Sequence, residues 1–145
     1  MTSGLQHEIN GVIDDMDNIY ALAASKAGLS QSAFEILYAL AVYGDGCTQK
    51  ELCERCYTGK QTINSSVKRL EAQGFVLLEP GRGRETLVTL TEGGHALVAE
   101  KISPFVRAEE ASYDVLDERE QETLLRLISR MRDALRASLE SSGLL

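Results

Sequence analysis

The segment from Thr58 to Phe75, TGKQTINSSVKRLEAQGF, concentrates side chains that donate and accept hydrogen bonds. It contains three cations, Lys60, Lys68 and Arg69, against the single acid Glu71. Amides and hydroxyls recur through the remaining positions. Cations neutralise phosphates, while amides and hydroxyls pair with the edges of bases. This mixture therefore suits a polyanion that also presents hydrogen-bond donors and acceptors.

The spacing of the apolar residues predicts that this segment is a helix with one buried side. With Ile63 at zero and about 100° per residue, Val67 and Leu70 fall on the same narrow stripe, which would face a core. Exposed helix faces are commonly built from Glu and Lys pairs, and an acid in the first turn would suit the helix dipole. An anion approaching from outside explains why neither is found here. The outward side then presents Gln61, Thr62, Asn64, Ser65, Lys68 and Arg69.

The charge of the chain is strongly divided along its 145 residues. The formal net charge is −7 and the sequence pI is about 4.9. Residues 47–90 nevertheless hold seven cations against five acids, whereas residues 1–46 hold one against six and residues 91–145 seven against eleven. Only the middle third is basic. A local patch of this kind can meet phosphates while the acidic remainder limits non-specific binding.

Three helices are predicted ahead of this segment. The second, capped by Ser30 or Ser32, is apolar nearly all round and therefore belongs at the centre of the core. The third begins at Thr48, which has capping-box spacing to Glu51, and runs for about two turns. The first ends near Gly28 and carries an apolar stripe of Leu5, Ile9, Val12, Ile13, Met16, Ile19, Tyr20 and Ala23.

A hairpin and two further helices are predicted on the C-terminal side of the segment from Thr58 to Phe75. Gly74 is a plausible C-cap, and the runs FVLLEP and ETLVTL read as strands joined by a turn with Arg82 and Arg84 at its tip. A fifth helix is capped by Thr91 and should be interrupted or kinked at Pro104. The sixth begins at Asp117 and presents an apolar stripe of Leu124, Ile128, Met131, Leu135 and Leu139.

The order of these elements predicts a mainly α fold with a small β-hairpin wing. It is the order of a winged helix-turn-helix core flanked by additional N- and C-terminal helices. In such a core the second helix of the motif enters the major groove, which is about 12 Å wide, and an arginine-tipped hairpin reaches the narrower minor groove.

Three stretches resemble the MarR family of bacterial transcriptional regulators: TQKELCERC, GKQTINSSVKRLEAQGF and LVTLTEGG. The similarity covers about residues 30–95, the DNA-binding core, and residues 1–28 and 96–145 fall where the family has its dimerisation arms, within one MarR-like domain over 1–145. The resemblance implies a homodimer that binds a pseudo-palindromic operator in double-stranded DNA, often as a repressor released by a small-molecule effector or by oxidation. The sequence GRGRE lacks the Asp of the family's Asp-x-Arg wing motif. Gly59 replaces the usual Ser cap, which leaves Thr58 as a possible substitute.

The predicted function is sequence-specific DNA binding that regulates transcription. Two simpler explanations remain open: the polar helix side could be merely solvent-exposed, and the wing arginines could be solubilising residues of a turn. A winged helix can also act as a protein–protein interaction module without reading DNA. The predicted DNA-binding residues are Lys60, Gln61, Thr62, Asn64, Ser65, Lys68, Arg69, Arg82 and Arg84.

Catalysis, metal binding and a cofactor are not predicted. The pair Cys53-x-x-Cys56 has no second pair, His7 and His95 are remote from it, and no nucleophile and base share a recognisable spacing. We expect the three cysteines to serve as small, buried, apolar residues. The alternative is that one cysteine senses oxidants, with Lys50 and Arg55 lowering the pKa of a thiol.

Two further interpretations of the sequence concern the cellular location of the protein and a site for a small ligand. No apolar run approaches the 18 or so residues of a membrane span, and the N-terminus lacks a secretory pattern, so a cytoplasmic protein without membrane association is predicted. Four tyrosines could line an effector pocket, although core packing explains them equally well: Tyr20, Tyr38, Tyr43 and Tyr113.

Overall fold

The computed structural model, which describes residues 4–145, is mainly helical and contains one small three-stranded antiparallel sheet. This arrangement confirms the predicted fold class. The elements in chain order are α1 (Gly4–Lys26), α2 (Gln31–Tyr43), β1 (Cys47–Thr48), α3 (Gln49–Cys56), α4 (Lys60–Ala72), β2 (Val76–Pro80), β3 (Thr86–Leu90), α5 (Glu92–Leu97), a π-helical turn (Val98–Ile102), α6 (Ser103–Tyr113) and α7 (Glu118–Ser141).

The chain divides into two compact units. One comprises the described residues up to Val106 and contains the helix-turn-helix, the wing and the core. The other is Arg107–Leu145 and consists of the end of α6 together with α7.

Helix α2 lies at the centre of the first unit, as its apolar sequence predicts. Ile36 and Leu37 are fully buried, and α2 contacts α1, α3, α4 and the π-helical turn. Leu52 of α3 is also fully buried, and Ile63 of α4 lies in the same cluster. The helix-turn-helix is thus fixed to a single apolar core, whose burial supplies most of its stability.

The sheet has the strand order β1–β3–β2, with both pairs antiparallel. Val76 lies opposite Leu90, and Cys47 of β1 lies opposite Val88. Strand β1 was not predicted, because a two-residue strand is too short to show alternation. The carboxylate of Asp45 joins the preceding loop to the base of the wing: its Oδ1 accepts from the Leu90 N–H at 2.7 Å.

The helix ends agree with the predicted caps at most positions. Ser30 caps α2, and Thr48 forms the expected capping box with Glu51 at α3. Thr58 does not cap α4, so that prediction is wrong. Its hydroxyl donates instead to the Cys56 carbonyl at 2.9 Å, and the N-cap of α4 is Gly59, with no side-chain hydrogen bond.

The region behind the wing also follows the predicted boundaries. Thr91 caps α5, and Asp117 forms a capping box with Glu120 at α7. A Cβ on Gly94 would overlap the carbonyl oxygen of Phe75, so only glycine fits where α5 approaches the start of β2. The interruption predicted at Pro104 takes the form of the π-helical turn immediately before α6.

Candidate nucleic-acid interface

The polar side of α4 faces solvent, and the apolar stripe anchors the helix. Ile63, Val67 and Leu70 are buried completely or almost completely, as their spacing predicts. The predicted DNA-binding residues of this helix therefore share one accessible surface. Lys60, Gln61, Thr62, Ser65, Lys68 and Arg69 are exposed, and Asn64 is half-buried.

The beginning of α4 is suited to an anion. Gly59 leaves the first N–H groups without a side-chain acceptor, and the first turn contains no acid. The free N–H groups and the helix dipole give this end a partial positive charge, to which Lys60 adds a full one. Among residues 4–145, Lys60, Lys68 and Arg69 form no ion pair with an acid. Their charge is therefore available to a ligand.

A polar contact that the sequence reasoning missed fixes α4 against α2. Ser66 is buried, with 7% of its surface exposed, and its Oγ lies 2.5 Å from Oγ of Ser32. Glu35, also on α2, accepts from the Thr58 hydroxyl at 3.4 Å just before α4 begins. On the helical wheel Ser66 lies beside the apolar stripe, and that position was the signal that could have identified it.

The wing places its two arginines at the tip of the hairpin, as predicted. Arg82 and Arg84 are both exposed on the turn between β2 and β3. The Gly81 N–H donates to the Glu85 carbonyl at 2.8 Å, which closes the turn, and Gly83 has a φ of +60°. Neither arginine forms an ion pair within the part of the chain that the structure describes.

Tyr57, between α3 and α4, is a second feature that the sequence reasoning missed. Its side chain is 96% exposed, and its backbone is left-handed, with φ of +48°. The signal lay in the sequence CYTG, where a tyrosine takes a turn position that favours glycine.

Comparison with known proteins identifies the family. The model of the MarR family matches residues 27–85. The HTH-type transcriptional repressor NicR of Pseudomonas putida is 32% identical over 118 residues, which cover 80% of this chain and 74% of NicR. This chain belongs to the MarR family. MarR-family proteins are DNA-binding transcriptional regulators and not enzymes.

Two solved structures share the MarR fold of this chain. NMB1585, a MarR family regulator from Neisseria meningitidis, has a TM-score of 0.82 at 21% identity, with 97% of this chain and 99% of NMB1585 covered. NadR in complex with 4-hydroxyphenylacetate has a TM-score of 0.69 at 17% identity, with 90% of this chain and 93% of NadR covered. Both likenesses concern the fold.

Two cysteines of this MarR-family chain, Cys47 and Cys56, lie in surroundings that favour the neutral thiol. Arg55 donates to Sγ of Cys47 at 2.8 Å, but burial outweighs this contact and raises the pKa of the Cys47 thiol. Burial also raises the pKa of Cys56 to about 11. Arg55 does lower the pKa of both thiols, as hypothesised, but burial is the larger effect, so the net shift is upward at Cys47 and at Cys56.

Two of the tyrosines considered for a pocket take part in packing. The rings of Tyr20 and Tyr38 meet Phe105 edge to face, with centroids 5.2 and 6.2 Å apart. Tyr43 lies under Arg55, whose Cζ is 4.8 Å from the ring centroid. The ring contacts favour the packing explanation for Tyr20 and Tyr38, whereas Tyr43 is 57% exposed.

None of the helices formed by residues 4–145 combines the length and apolar character needed to span a membrane.

Proposed function

We propose that this MarR-family regulator reads duplex DNA with the exposed side of α4 and acts as a repressor. The observation that supports this proposal most strongly is the combination of polar and cationic side chains on the exposed side of α4. Amides and hydroxyls stand between cations that have no acidic partner in the described chain, on a helix whose opposite side is fully buried. Such a helix presents a fixed chemical pattern to a groove.

The side chains divide into two roles by their chemistry. Lys60, Lys68 and Arg69 contact phosphates and so set affinity and register. Gln61 and Asn64 carry amides that pair bidentately with adenine edges. The hydroxyls beside them can donate to a base edge or accept from it. Thr62 and Ser65 supply those hydroxyls, and the wing arginines Arg82 and Arg84 enter the neighbouring minor groove.

The proposal includes a homodimer on a pseudo-palindromic operator. Helix α1 exposes apolar residues along its length, and so does α7. We assign residues 30–95 to DNA binding and residues 1–28 and 96–145 to dimerisation. A two-fold symmetric dimer places its two recognition helices in successive major grooves, so the half-sites should lie about 10 base pairs apart, centre to centre.

Repression and its release extend the proposal by analogy with relatives. NicR is named a transcriptional repressor, and NadR was solved with 4-hydroxyphenylacetate. We therefore propose repression relieved by a small organic effector. Oxidation is the less favoured signal, because burial keeps Cys47 and Cys56 in the neutral form.

The test is salt-dependent binding to the DNA that flanks the gene of this chain. If the cations neutralise phosphates, log affinity should fall by roughly 0.9 per log unit of salt for each phosphate. Lys68→Ala should weaken binding to every sequence and reduce that slope by about one unit. Gln61→Ala should instead reduce discrimination at particular base pairs by about 1 to 3 kcal/mol.

Lys101→Ala is the matched control, because it removes the same charge from a lysine that pairs with Glu100 outside α4. Its slope should equal that of the unmodified protein. Equal losses for Gln61→Ala across all single-base operator variants would contradict base reading. A protein that binds a protein partner but shows no salt-dependent DNA affinity would favour the interaction-module alternative.

A further inference from the structure

Tyr57 has a backbone conformation that costs free energy. Among residues 4–145 it is the one non-glycine residue with positive φ, at +48°. A side chain in the left-handed region brings Cβ close to the following carbonyl, and glycine avoids this cost. Tyr57 ends α3, with its N–H bonded to the Cys53 carbonyl, so the conformation is set by the turn of the helix-turn-helix.

The side chain gains nothing inside the described chain that would offset this cost. It is 96% exposed, the highest exposure among the large apolar and aromatic residues that are exposed here. It makes no hydrogen bond or ring contact within residues 4–145, whereas Tyr20 packs on Phe105 and Tyr43 on Arg55. Strained residues persist where function requires them, and an exposed aromatic residue with a hydroxyl suits an interface that is partly apolar and partly wet.

The position of Tyr57 identifies the kind of partner. It precedes α4 by three residues, and the segment from Thr58 to Thr62 contains Lys60 and no acid. The Thr58 hydroxyl donates to the Cys56 carbonyl at 2.9 Å and lies 3.4 Å from a Glu35 carboxylate oxygen, and these contacts restrict the turn. When a recognition helix enters the major groove with its first turn, the turn that leads into it lies near the phosphates that line the groove.

We propose that the Tyr57 hydroxyl donates a hydrogen bond to a DNA phosphate at the edge of the groove occupied by α4. The ring packs against the adjoining deoxyribose, so the contact adds affinity without reading bases. This inference rests on the proposed placement of α4 in the major groove. It explains why a tyrosine stands where glycine would be more stable.

The decisive variants are Tyr57→Phe and Tyr57→Gly. Tyr57→Phe removes only the hydroxyl and should lower DNA affinity about tenfold for all sequences, the loss typical of a hydrogen bond to a charged group, without changing the salt slope. Tyr57→Gly should lower affinity further and at the same time raise the thermal unfolding midpoint, because it relieves the left-handed strain. A residue with a merely structural role would lose stability together with binding. Tyr113→Phe, a half-exposed tyrosine on α6, is the matched control and should bind normally.

A modified operator locates the contact. Methylphosphonate placed at one backbone position after another should, at a single position in each half-site, abolish the difference between the unmodified protein and Tyr57→Phe. Unchanged affinity of Tyr57→Phe, or lower stability of Tyr57→Gly, overturns the inference while Lys68→Ala still weakens binding and the proposed function stands. If the unmodified protein shows no salt-dependent duplex binding, the proposed function itself fails.

Discussion

The environment of Cys47 shows how two opposing effects at one residue are resolved. Arg55 donates to its sulfur at 2.8 Å, and a cation so close favours the thiolate. Cys47 is nevertheless buried in the core at the start of β1, and its thiol donates to the Gly44 carbonyl at 3.2 Å. Desolvation is the larger effect and raises the pKa of Cys47. The arginine, which also covers the Tyr43 ring, contributes packing rather than activation.

The raised thiol pKa values predict slow alkylation of the folded protein. Burial raises the pKa of Cys56 to about 11, whereas an unfolded cysteine titrates near about 8.5. At pH 7.5 iodoacetamide should therefore label Cys47 and Cys56 more slowly in the folded chain than in urea, and the rate at Cys56 should climb as the pH approaches 11. Peptide mass spectrometry after timed quenching measures both sites separately.

The raised pKa of Cys56 also determines how the stability of the fold depends on pH. Because the folded-state pKa of Cys56 is raised, its contribution to stability is fully present below the unfolded pKa and is lost as the pH rises through about 11. Fast labelling of Cys56 at neutral pH would contradict this account. Peroxide at neutral pH should correspondingly oxidise Cys47 and Cys56 only slowly, because the thiolate is the species that oxidants attack.

At the scale of elements, the local signals were sufficient for the helices and the hairpin. The stripe of Ile63, Val67 and Leu70 and the capping box at Thr48 depend on neighbours within a few residues, so the sequence reveals them directly. The exposed side of α4 followed from the same periodicity, and with it the accessibility of the candidate site.

Features that depend on distant contacts could not be predicted in this way. The bond between Ser32 and Ser66 joins residues 34 positions apart, and β1 exists only because Cys47 pairs with Val88 of the wing. The predicted cap at Thr58 was wrong because its hydroxyl donates to the Cys56 carbonyl of α3 and lies near Glu35 of α2. Hydrogen-bonding side chains have several possible partners, and the tertiary arrangement selects among them.

The uncapped start of α4 allows a prediction that separates charge from capping. Gly59 has extended N-cap geometry, and a Cβ there would meet nothing within 4 Å. Gly59→Asn and Gly59→Asp should both cap α4 and stabilise the fold by a few tenths of a kcal/mol. Only Asp adds a negative charge beside the phosphates, so it should bind operator DNA about fivefold more weakly than Asn, from roughly 1 kcal/mol of repulsion.

Thermal denaturation and fluorescence anisotropy measure the two effects of this pair. Asn is the matched control, because it has the size and hydrogen-bonding geometry of Asp without its charge. Equal DNA affinities for the two variants would mean that no phosphate approaches the beginning of α4, and would count against the proposed orientation of the helix.

For the molecule as a whole, acidity and a basic interface are complementary. A net charge of −7 opposes unspecific association with polyanions, and the cations of α4 and the wing restore attraction only where they are concentrated. Binding should therefore depend on alignment of that surface with the groove. A regulator searching among many competing sites benefits from such a separation of charge.

The apolar surfaces of the two long helices predict an obligate partner. On α7, Leu125 is 70% and Leu135 62% exposed, and on α1 Leu5 is 66% exposed. Soluble monomers rarely expose continuous apolar surface on this scale. A second copy of the chain is the occupant that the family resemblance implies, and each helix would contribute its stripe to the interface.

Ile128→Glu tests the predicted dimer interface at the centre of the α7 stripe. The side chain of Ile128 is 55% exposed in the single chain. Burying the new carboxylate in a dimer interface is costly, so sedimentation velocity should show a shift from dimer toward monomer and operator affinity should fall steeply. Ala137→Glu adds the same charge on the same helix, but nine residues further on and about 180° around the axis. It should remain dimeric and bind normally. A dimeric Ile128→Glu, or equal dissociation of both variants, would exclude this stripe from the interface.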